Sequence, residues 1–135
     1  MQDAGHPEMR YTLLKAGGRQ VAGLLALPDA ARQAGAPPRW IGYVGTVDVD
    51  AAAARVTAAG GAVHHAPADI PEVGRFAMVS DPQGAPFVLF APNGEAPAPL
   101  APMTPGSVGW HELHTTDWQA AFGFYANQFG WTRAC

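Results

Sequence analysis

The feature that most constrains the fold is a unit that occurs twice in the chain. Aligning Asp48 with Asp117, 69 positions apart, pairs the unit within residues 40–60 with the unit within residues 109–130. In each copy a β-rich run leads to the aspartate, then to a helical stretch and a glycine, which are typical helix start and stop signals. The copies share spacing rather than identity. A long period of this kind predicts two supersecondary units that pack as a pair.

The stretches that follow the two aspartates have the periodicity of amphipathic helices. The apolar side of the first helix, predicted over 51–59, consists of Val49, Ala52, Val56 and Ala59. That of the second, predicted over 118–130, consists of Trp118, Ala121, Phe122, Tyr125 and Phe129. Each helix therefore has an apolar side that needs a partner surface.

Short β-rich runs account for most of the remaining chain. Residues 11–16 and 21–27 flank Gly17-Gly18-Arg19-Gln20 and predict a hairpin, with a loop over 28–38 behind it. Further strands are predicted at 40–47, 62–66, 75–80, 86–91 and 107–114. Asp81-Pro82-Gln83-Gly84 suits a tight turn between two of them. Five of the thirteen prolines fall within 92–106, which predicts a semi-extended linker able to span roughly 45 Å.

Composition and charge exclude several classes of protein. A chain of 135 residues suits one compact domain, and a net charge of −3 without a basic cluster leaves no electrostatic footprint for nucleic acid or an anionic membrane. No apolar stretch approaches the ~20 residues that span a bilayer, and the first ten residues lack the order of a signal peptide. The one cysteine, Cys135, cannot form an internal disulfide. We therefore expect a cytoplasmic protein.

Three segments resemble the vicinal oxygen chelate superfamily, which includes glyoxalases, bleomycin-resistance proteins and extradiol dioxygenases. They are IGYVGTVDVDAAAARVTAAGG, IPEVGRFAMVSDPQGAPFVLFAP and WHELHTTDWQAAFGFYANQFGW. The resemblance implies an α+β fold in which paired βαβββ modules form a curved mixed sheet, a cup around a ligand cavity. It also implies that residues 1–91 hold a hairpin and one complete module.

The order of the elements departs from that of relatives. The strand and helix of residues 107–135 normally precede a hairpin like that of 11–27, whereas here they follow the linker of 92–106. We expect this strand–helix unit to complete the first module, either in its own chain or by domain swapping in a homodimer. Exposing the apolar side of its helix would otherwise cost about 25 cal/mol per Å².

The resemblance also implies positions for metal ligands, and this chain lacks ligand side chains there. Three of these positions fall on Ile41, Val88 and Trp110, and the fourth, within 21–27, has only apolar or glycine candidates. A catalytic divalent ion needs about three ligands from His, Asp, Glu or thiolate. We therefore expect no cofactor and no metal at the family's usual site, while a divalent metal elsewhere stays open.

One cluster of ionisable residues does offer ligand chemistry. On a strand over 107–114 alternate residues share a face, so Trp110, Glu112 and His114 line the cavity if Leu113 packs beneath the helix. Glu112 and His114 could then bind a metal weakly or act as general acid and base. Alternatively, both residues line a polar patch and form hydrogen bonds to their neighbours.

The same alternation assigns the other candidate residues. Tyr43 should share the cavity face with Ile41, and Phe90 should share it with Val88, although Tyr43 is equally suited to the core. His64 and His65 are adjacent in the sequence and should therefore fall on opposite faces of their strand. We expect no chelate from this pair.

Two functions follow from the resemblance. The first is that of a metal-free protein that binds a small organic molecule in an apolar cavity, as in the bleomycin-resistance branch. The alternative is a metal-dependent lyase, isomerase or dioxygenase that uses an atypical site at Glu112 and His114. No catalytic residue is assigned, and whether the protein is an enzyme stays open.

Overall fold

A computed structural model describes residues 11–134 of the chain. These residues form two compact units. The first, the hairpin unit, contains the described residues up to Trp40 together with 99–111. The second, the sheet unit, contains Ile41–Ala98 and the described residues from Glu112 onward.

The hairpin unit is built on two antiparallel strands, β1 (Tyr11–Ala16) and β2 (Arg19–Leu25). Gly17 and Gly18 join them, and both have positive φ, as the two-residue turns favoured in hairpins require. The predicted hairpin is therefore confirmed. The predicted loop over 28–38 is wrong in part, because Asp29–Gln33 form a short helix, α1.

The sheet unit contains one complete βαβββ module. Its elements are β3 (Tyr43–Gly45), α2 (Val49–Ala58), β4 (Ala62–Ile70), β5 (Gly74–Ser80) and β6 (Pro86–Pro92). The strands lie in the order β3-β6-β5-β4, with β3 parallel to β6 and the other pairs antiparallel. The sheet is therefore mixed, and the predicted α+β fold class is confirmed.

A second helix in this unit, α3 (Trp118–Phe129), begins in the same way as α2. The Asp48 carboxylate accepts a hydrogen bond from the Ala51 N–H, and the Asp117 carboxylate accepts one from Ala120, each at 3.0 Å. Gly130 ends α3 in the left-handed conformation. The repeated helix-start signal seen in the sequence is thus confirmed as two N-caps of identical geometry.

The core lies between one face of the sheet and the two helices. Alternation along the strands directs Ala77 and Val79 of β5, and Phe87 and Leu89 of β6, toward this side. The helices contribute the remaining buried side chains, which are Val49, Ala52, Ala53, Val56 and Phe124. Because α3 supplies Phe124 to this core, the helix packs on the module of its own chain.

The buried carboxylate of Asp81 fixes the β5–β6 turn and attaches α3 to it. Asp81 is only 2% exposed, and its Oδ1 accepts hydrogen bonds from the N–H groups of Gln83 and Ala85, both at 2.9 Å. Its Oδ2 accepts a third hydrogen bond, at 2.9 Å, from the hydroxyl of Tyr125 on α3. Burial raises the pKa of Tyr125, and the hydrogen bond to Asp81 raises it further.

Aromatic rings surround this hydrogen bond. Phe87 contacts Phe124, Tyr125 and Phe129, with centroid distances of 5.7–6.5 Å. Trp131, just beyond the helix, stacks on Tyr125 at 5.6 Å. These contacts cover Phe124, Tyr125 and Phe129. The predicted apolar side of α3 is wrong in part, because Trp118 and Phe122 are 58% and 38% exposed.

Several predicted strand boundaries differ from those in the structure. The run at 40–47 pairs with β6 only over Tyr43–Gly45. In contrast, β4 continues past the predicted end at 66, through Pro67, to Ile70. An edge strand tolerates proline because its outward N–H positions have no partner to lose, and β4 lies at the edge of this sheet.

The predicted strand over 107–114 is wrong. A strand needs a neighbour for its N–H and C=O groups, and no strand among residues 11–134 pairs with this segment. Leu113 is 42% exposed, so its predicted packing beneath the helix is also wrong. Residues 93–106 contain no helix or strand, and hydrogen-bonded turns at 101–104 and 104–107 replace part of the extended linker.

No helix in the described part of the chain is both long and apolar enough to cross a membrane.

The Asp81–Tyr125 hydrogen bond can be tested by replacing Tyr125 with Phe. The change leaves a buried carboxylate oxygen without its donor, and we expect it to lower the free energy of unfolding by about 1–3 kcal/mol at neutral pH. Urea denaturation measures this change. Tyr11→Phe is the matched control, because the Tyr11 hydroxyl has no hydrogen-bond partner among residues 11–134.

The stability difference between the wild type and Tyr125→Phe should also depend on pH. Because the folded-state pKa of Tyr125 lies above its ordinary value of about 10, folding favours the protonated hydroxyl. Its contribution to stability is complete below that value and is lost as the pH rises above it. The stability difference between the wild type and Tyr125→Phe should therefore narrow above about pH 10. A stability difference that stays constant as the pH rises through about 10 and beyond would contradict the assigned hydrogen bond between Tyr125 and Asp81.

Candidate functional site

The face of the sheet opposite α2 and α3 carries the candidate site, and we call it the open face. Its side chains alternate with those of the core, so Phe76 and Met78 of β5 point away from Ala77 and Val79. On β6 the corresponding residues are Val88 and Phe90, and on β3 it is Tyr43, because Val44 packs on the core. The open face is therefore largely apolar and aromatic.

Strand register arranges these side chains in two rows. Tyr43 pairs with Val88, Val88 with Met78, and Met78 with His65, so one row crosses all four strands. The second row contains Gly45, Phe90, Phe76 and Ala68. Ring contacts connect the two rows, with Tyr43 and Phe90 at 6.0 Å and His65 and Phe76 at 4.8 Å.

Exposure varies across the open face. Val88 is 2% exposed and Tyr43 is 55% exposed, whereas Phe76, Met78 and Phe90 are half-buried. Gly45 has no side chain, and a Cβ there would meet no atom within 4 Å. The surface beside Phe90 therefore has room for part of a ligand.

An irregularity in β4 brings two histidines to this face. Val63 pairs with Val79 but His65 pairs with Met78, so β4 carries one extra residue, His64, at a β-bulge, and a second shift of register lies between His65 and Ala68. His64 Nε2 lies 2.9 Å from the hydroxyl of Ser80, and His65 stacks on Phe76. Ser80 and Phe76 lie on the same face of β5, so the prediction that the two histidines fall on opposite faces is wrong.

The structure places the predicted site residues in three locations. Tyr43, Val88 and Phe90 lie together on the open face, and Ile41 is a half-buried residue just before β3. Trp110 belongs to the hairpin unit and is 80% exposed. Glu112 and His114 belong to the exposed segment before α3, where the Glu112 Oε1 and His114 Nε2 atoms are 3.2 Å apart.

Sequence reasoning missed Phe76, Met78 and His65 as members of this surface. The alternation of RFAMVS contains a signal for the first two, because Ala77 and Val79 are the residues of β5 that suit a tightly packed core. No comparable signal locates His65, since its orientation depends on the bulge.

Arg75, at the start of β5, is held by two acidic residues. Its guanidinium forms two hydrogen bonds to Asp50, at 2.6 and 2.9 Å, and one to Asp69 at 3.0 Å. The hydrogen bonds to Asp50, and to a lesser extent the one to Asp69, raise the pKa of Arg75. The hydrogen bonds from Arg75 in turn lower the pKa of Asp50. Arg75 alternates with Phe76, so this ion pair lies away from the open face.

A separate groove occurs within the hairpin unit. It has a volume of about 320 Å³ and lies between the start of β2 and the turns after residue 99. Its apolar walls are formed by Val21, Leu100, Pro102, Met103 and Val108.

The chain was compared with known proteins. The family model for the Glyoxalase/Bleomycin resistance protein/Dioxygenase superfamily matches residues 2–89. The chain belongs to this superfamily. This match covers the hairpin and nearly all of the βαβββ module, so the resemblance noted in the sequence is confirmed.

Curated relatives of the superfamily match part of the chain. It is 49% identical over 82 residues to proteins named "Putative glyoxylase CFP32" from Mycobacterium bovis and Mycobacterium tuberculosis, which covers 61% of this chain and 30% of theirs. It is 42% identical over 98 residues to "Anthracycline biosynthesis protein DauV" from Streptomyces sp. strain C5, which covers 73% of this chain and 35% of the relative. The matches thus span about a third of the length of these relatives.

The divalent metal of the superfamily does not fit the residues present. At the implied ligand positions on the sheet unit, Ile41 and Val88 have aliphatic side chains, which cannot coordinate a cation. Among the described side chains of the open face, the nitrogen or oxygen atoms that could coordinate a cation belong to Tyr43, His64, His65 and Ser80. Among residues 11–134, no three His, Cys, Asp or Glu side chains come close enough together to hold a metal ion.

The hydrogen bond between His64 and Ser80 can be tested with a double-mutant cycle. Ser80 is 4% exposed and its hydroxyl contacts the bulged residue His64. We therefore expect a coupling free energy of about 0.5–1.5 kcal/mol between His64→Leu and Ser80→Ala. Urea denaturation of the two single variants and the double variant gives this value. Strictly additive effects would show that the contact contributes nothing to the bulge.

Proposed function

We propose that the protein binds a small organic molecule on the open face, without the metal of its superfamily. The observation that carries this proposal is the pair of rows on the open face, which are apolar and aromatic in their middle, with the first row ending in the polar side chains of Tyr43 and His65. Ligand sites in proteins typically combine such apolar walls with a few polar groups that orient the ligand.

The dimensions of the open face indicate the size of the ligand. Tyr43 and His65 are separated by three inter-strand spacings of about 4.8 Å, or roughly 14 Å. A planar ligand of two or three rings can lie across this distance in contact with the half-buried side chains of Phe76, Met78 and Phe90. The rings of Phe76 and Phe90 favour a planar aromatic ligand, because aromatic pairs gain about 0.5–1.5 kcal/mol beyond the burial of their area.

The names of the relatives support a small organic ligand. Two are named as putative glyoxylases and others as anthracycline biosynthesis proteins. Those names describe the relatives, of which this chain matches about a third. Binding is therefore the part of their activity that we propose for this chain, and we assign it no reaction.

A metal-dependent lyase, isomerase or dioxygenase is the second candidate. The observation that favours it is the 3.2 Å separation of Glu112 and His114, which gives two potential ligands on one segment. Two ligands are fewer than the usual three, and both side chains are well exposed, which favours the metal-free binder. That Trp110, Glu112 and His114 line a cavity stays a prediction, as does a domain-swapped homodimer.

Binding of 2-methoxynaphthalene, a neutral two-ring probe, tests the proposal. We expect saturable binding, measured by fluorescence titration, that persists after dialysis against EDTA and does not change when Zn²⁺ is added. Absence of saturable binding would contradict the proposed function. Loss of binding in EDTA with recovery in Zn²⁺ would instead favour the metal-dependent candidate.

Gly45 provides a way to block the site. The Gly45→Leu variant should place a side chain over the surface beside Phe90 and weaken probe binding at least 10-fold, since this loss corresponds to about 1.4 kcal/mol. Stability should change little, because a Cβ at Gly45 meets no atom within 4 Å. Gly123→Leu on α3, where a Cβ also meets no atom, is the matched control and should bind the probe normally.

A further inference from the structure

The imidazole of His65 is held in one orientation by two contacts. Its ring stacks on Phe76, with centroids 4.8 Å apart and an interplanar angle of 29°. Its Nδ1 lies 2.8 Å from the carbonyl oxygen of Ala66. The side chain is nevertheless exposed, at the end of the row that begins with Tyr43.

The contact with Ala66 determines which nitrogen of His65 carries the proton. A carbonyl oxygen only accepts hydrogen bonds, so Nδ1 must be the donor. In a neutral imidazole the other nitrogen is then an acceptor, and Nε2 therefore presents a lone pair. Among residues 11–134, no group forms a hydrogen bond to this nitrogen.

The neighbouring His64 is engaged in a different contact. Its Nε2 is already 2.9 Å from the Ser80 hydroxyl, which is a buried group. Because Ser80 is 4% exposed, it is also unsuited to attack a bulky substrate, so the pair fixes the bulge rather than forming a nucleophile and base. The bulge thus leaves one imidazole engaged and the other facing outward.

We propose that His65 determines specificity for a hydroxylated aromatic ligand, by accepting a hydrogen bond at Nε2 from a phenolic hydroxyl. This inference rests on the proposed function, because the aromatic body of the ligand must lie on the apolar rows beside Phe76 and Met78. A phenol fits both requirements: its ring suits the stacked aromatic surface, and its O–H supplies the donor that this nitrogen lacks. His65 is a binding residue here, and no proton transfer is required.

The test compares two probes that share an aromatic body. 2-Naphthol can donate a hydrogen bond, whereas in 2-methoxynaphthalene the oxygen is capped and cannot. At about pH 8, where imidazole side chains are in general neutral, the wild type should bind 2-naphthol roughly 3- to 10-fold more tightly, the range expected from one net hydrogen bond. Dissociation constants come from fluorescence titration.

Three variants isolate the contribution of His65. His65→Phe retains an aromatic ring on Phe76 but has no acceptor, so the preference for 2-naphthol should disappear and the ratio of the two dissociation constants should approach one. His65→Gln supplies an acceptor oxygen on a different side chain and should restore part of the preference. His111→Phe, at an exposed histidine of the hairpin unit, is the matched control and should retain the full preference.

The outcomes separate this inference from the proposed function. If the wild type binds both probes equally, or if His65→Phe retains the preference, the role of His65 is overturned and binding on the open face stands. If the wild type binds neither probe, both proposals are overturned. If His65→Phe loses affinity for both probes in equal measure, the histidine acts through the shape of the site and the hydrogen bond is overturned.

Discussion

The carboxylate of Asp81 is the group on which the arrangement of the sheet unit most depends. It accepts hydrogen bonds from two backbone N–H groups in its own turn and from Tyr125, 44 positions later in the chain. A buried carboxylate with fewer partners would be costly, because ionised groups lose the hydration that water provides. The Tyr125 hydroxyl on α3 therefore satisfies the buried carboxylate of the turn, and the same hydrogen bond fixes α3 against the turn between β5 and β6. The aromatic contacts around Phe87 then cover the helix face of the sheet.

Covering one face of the sheet with helices leaves the other face as the candidate site. Once Ala77, Val79, Phe87 and Leu89 are committed to the helices, alternation leaves Phe76, Met78, Val88 and Phe90 on the open face. The same packing that stabilises the module thus determines which residues are available to a ligand. Two of the superfamily's implied metal positions fall on the aliphatic side chains of Ile41 and Val88, which cannot coordinate a cation.

The parts of this fold that the sequence predicts are those set by local chemistry. Asp48, Asp117 and Gly130 mark helix ends because a capping side chain or a left-handed glycine acts within one turn. The segment 107–114 has strand-like alternation, but a strand forms only where another strand pairs with it, which no local pattern can indicate. Likewise, Tyr43, Val88 and Phe90 follow from simple alternation, whereas His65 does not, because the register of β4 shifts on both sides of it and changes which side chains share a face.

Because of the bulge in β4, the position of a residue in the sequence no longer determines by simple alternation which face of the sheet it occupies. In a regular strand, a substitution exchanges one side chain for another on an unchanged face. At a bulge, removing one residue re-pairs the strand and brings a different set of side chains to the surface. A single codon inserted or deleted near His64 would therefore change several side chains of this surface at once, whereas a substitution changes one.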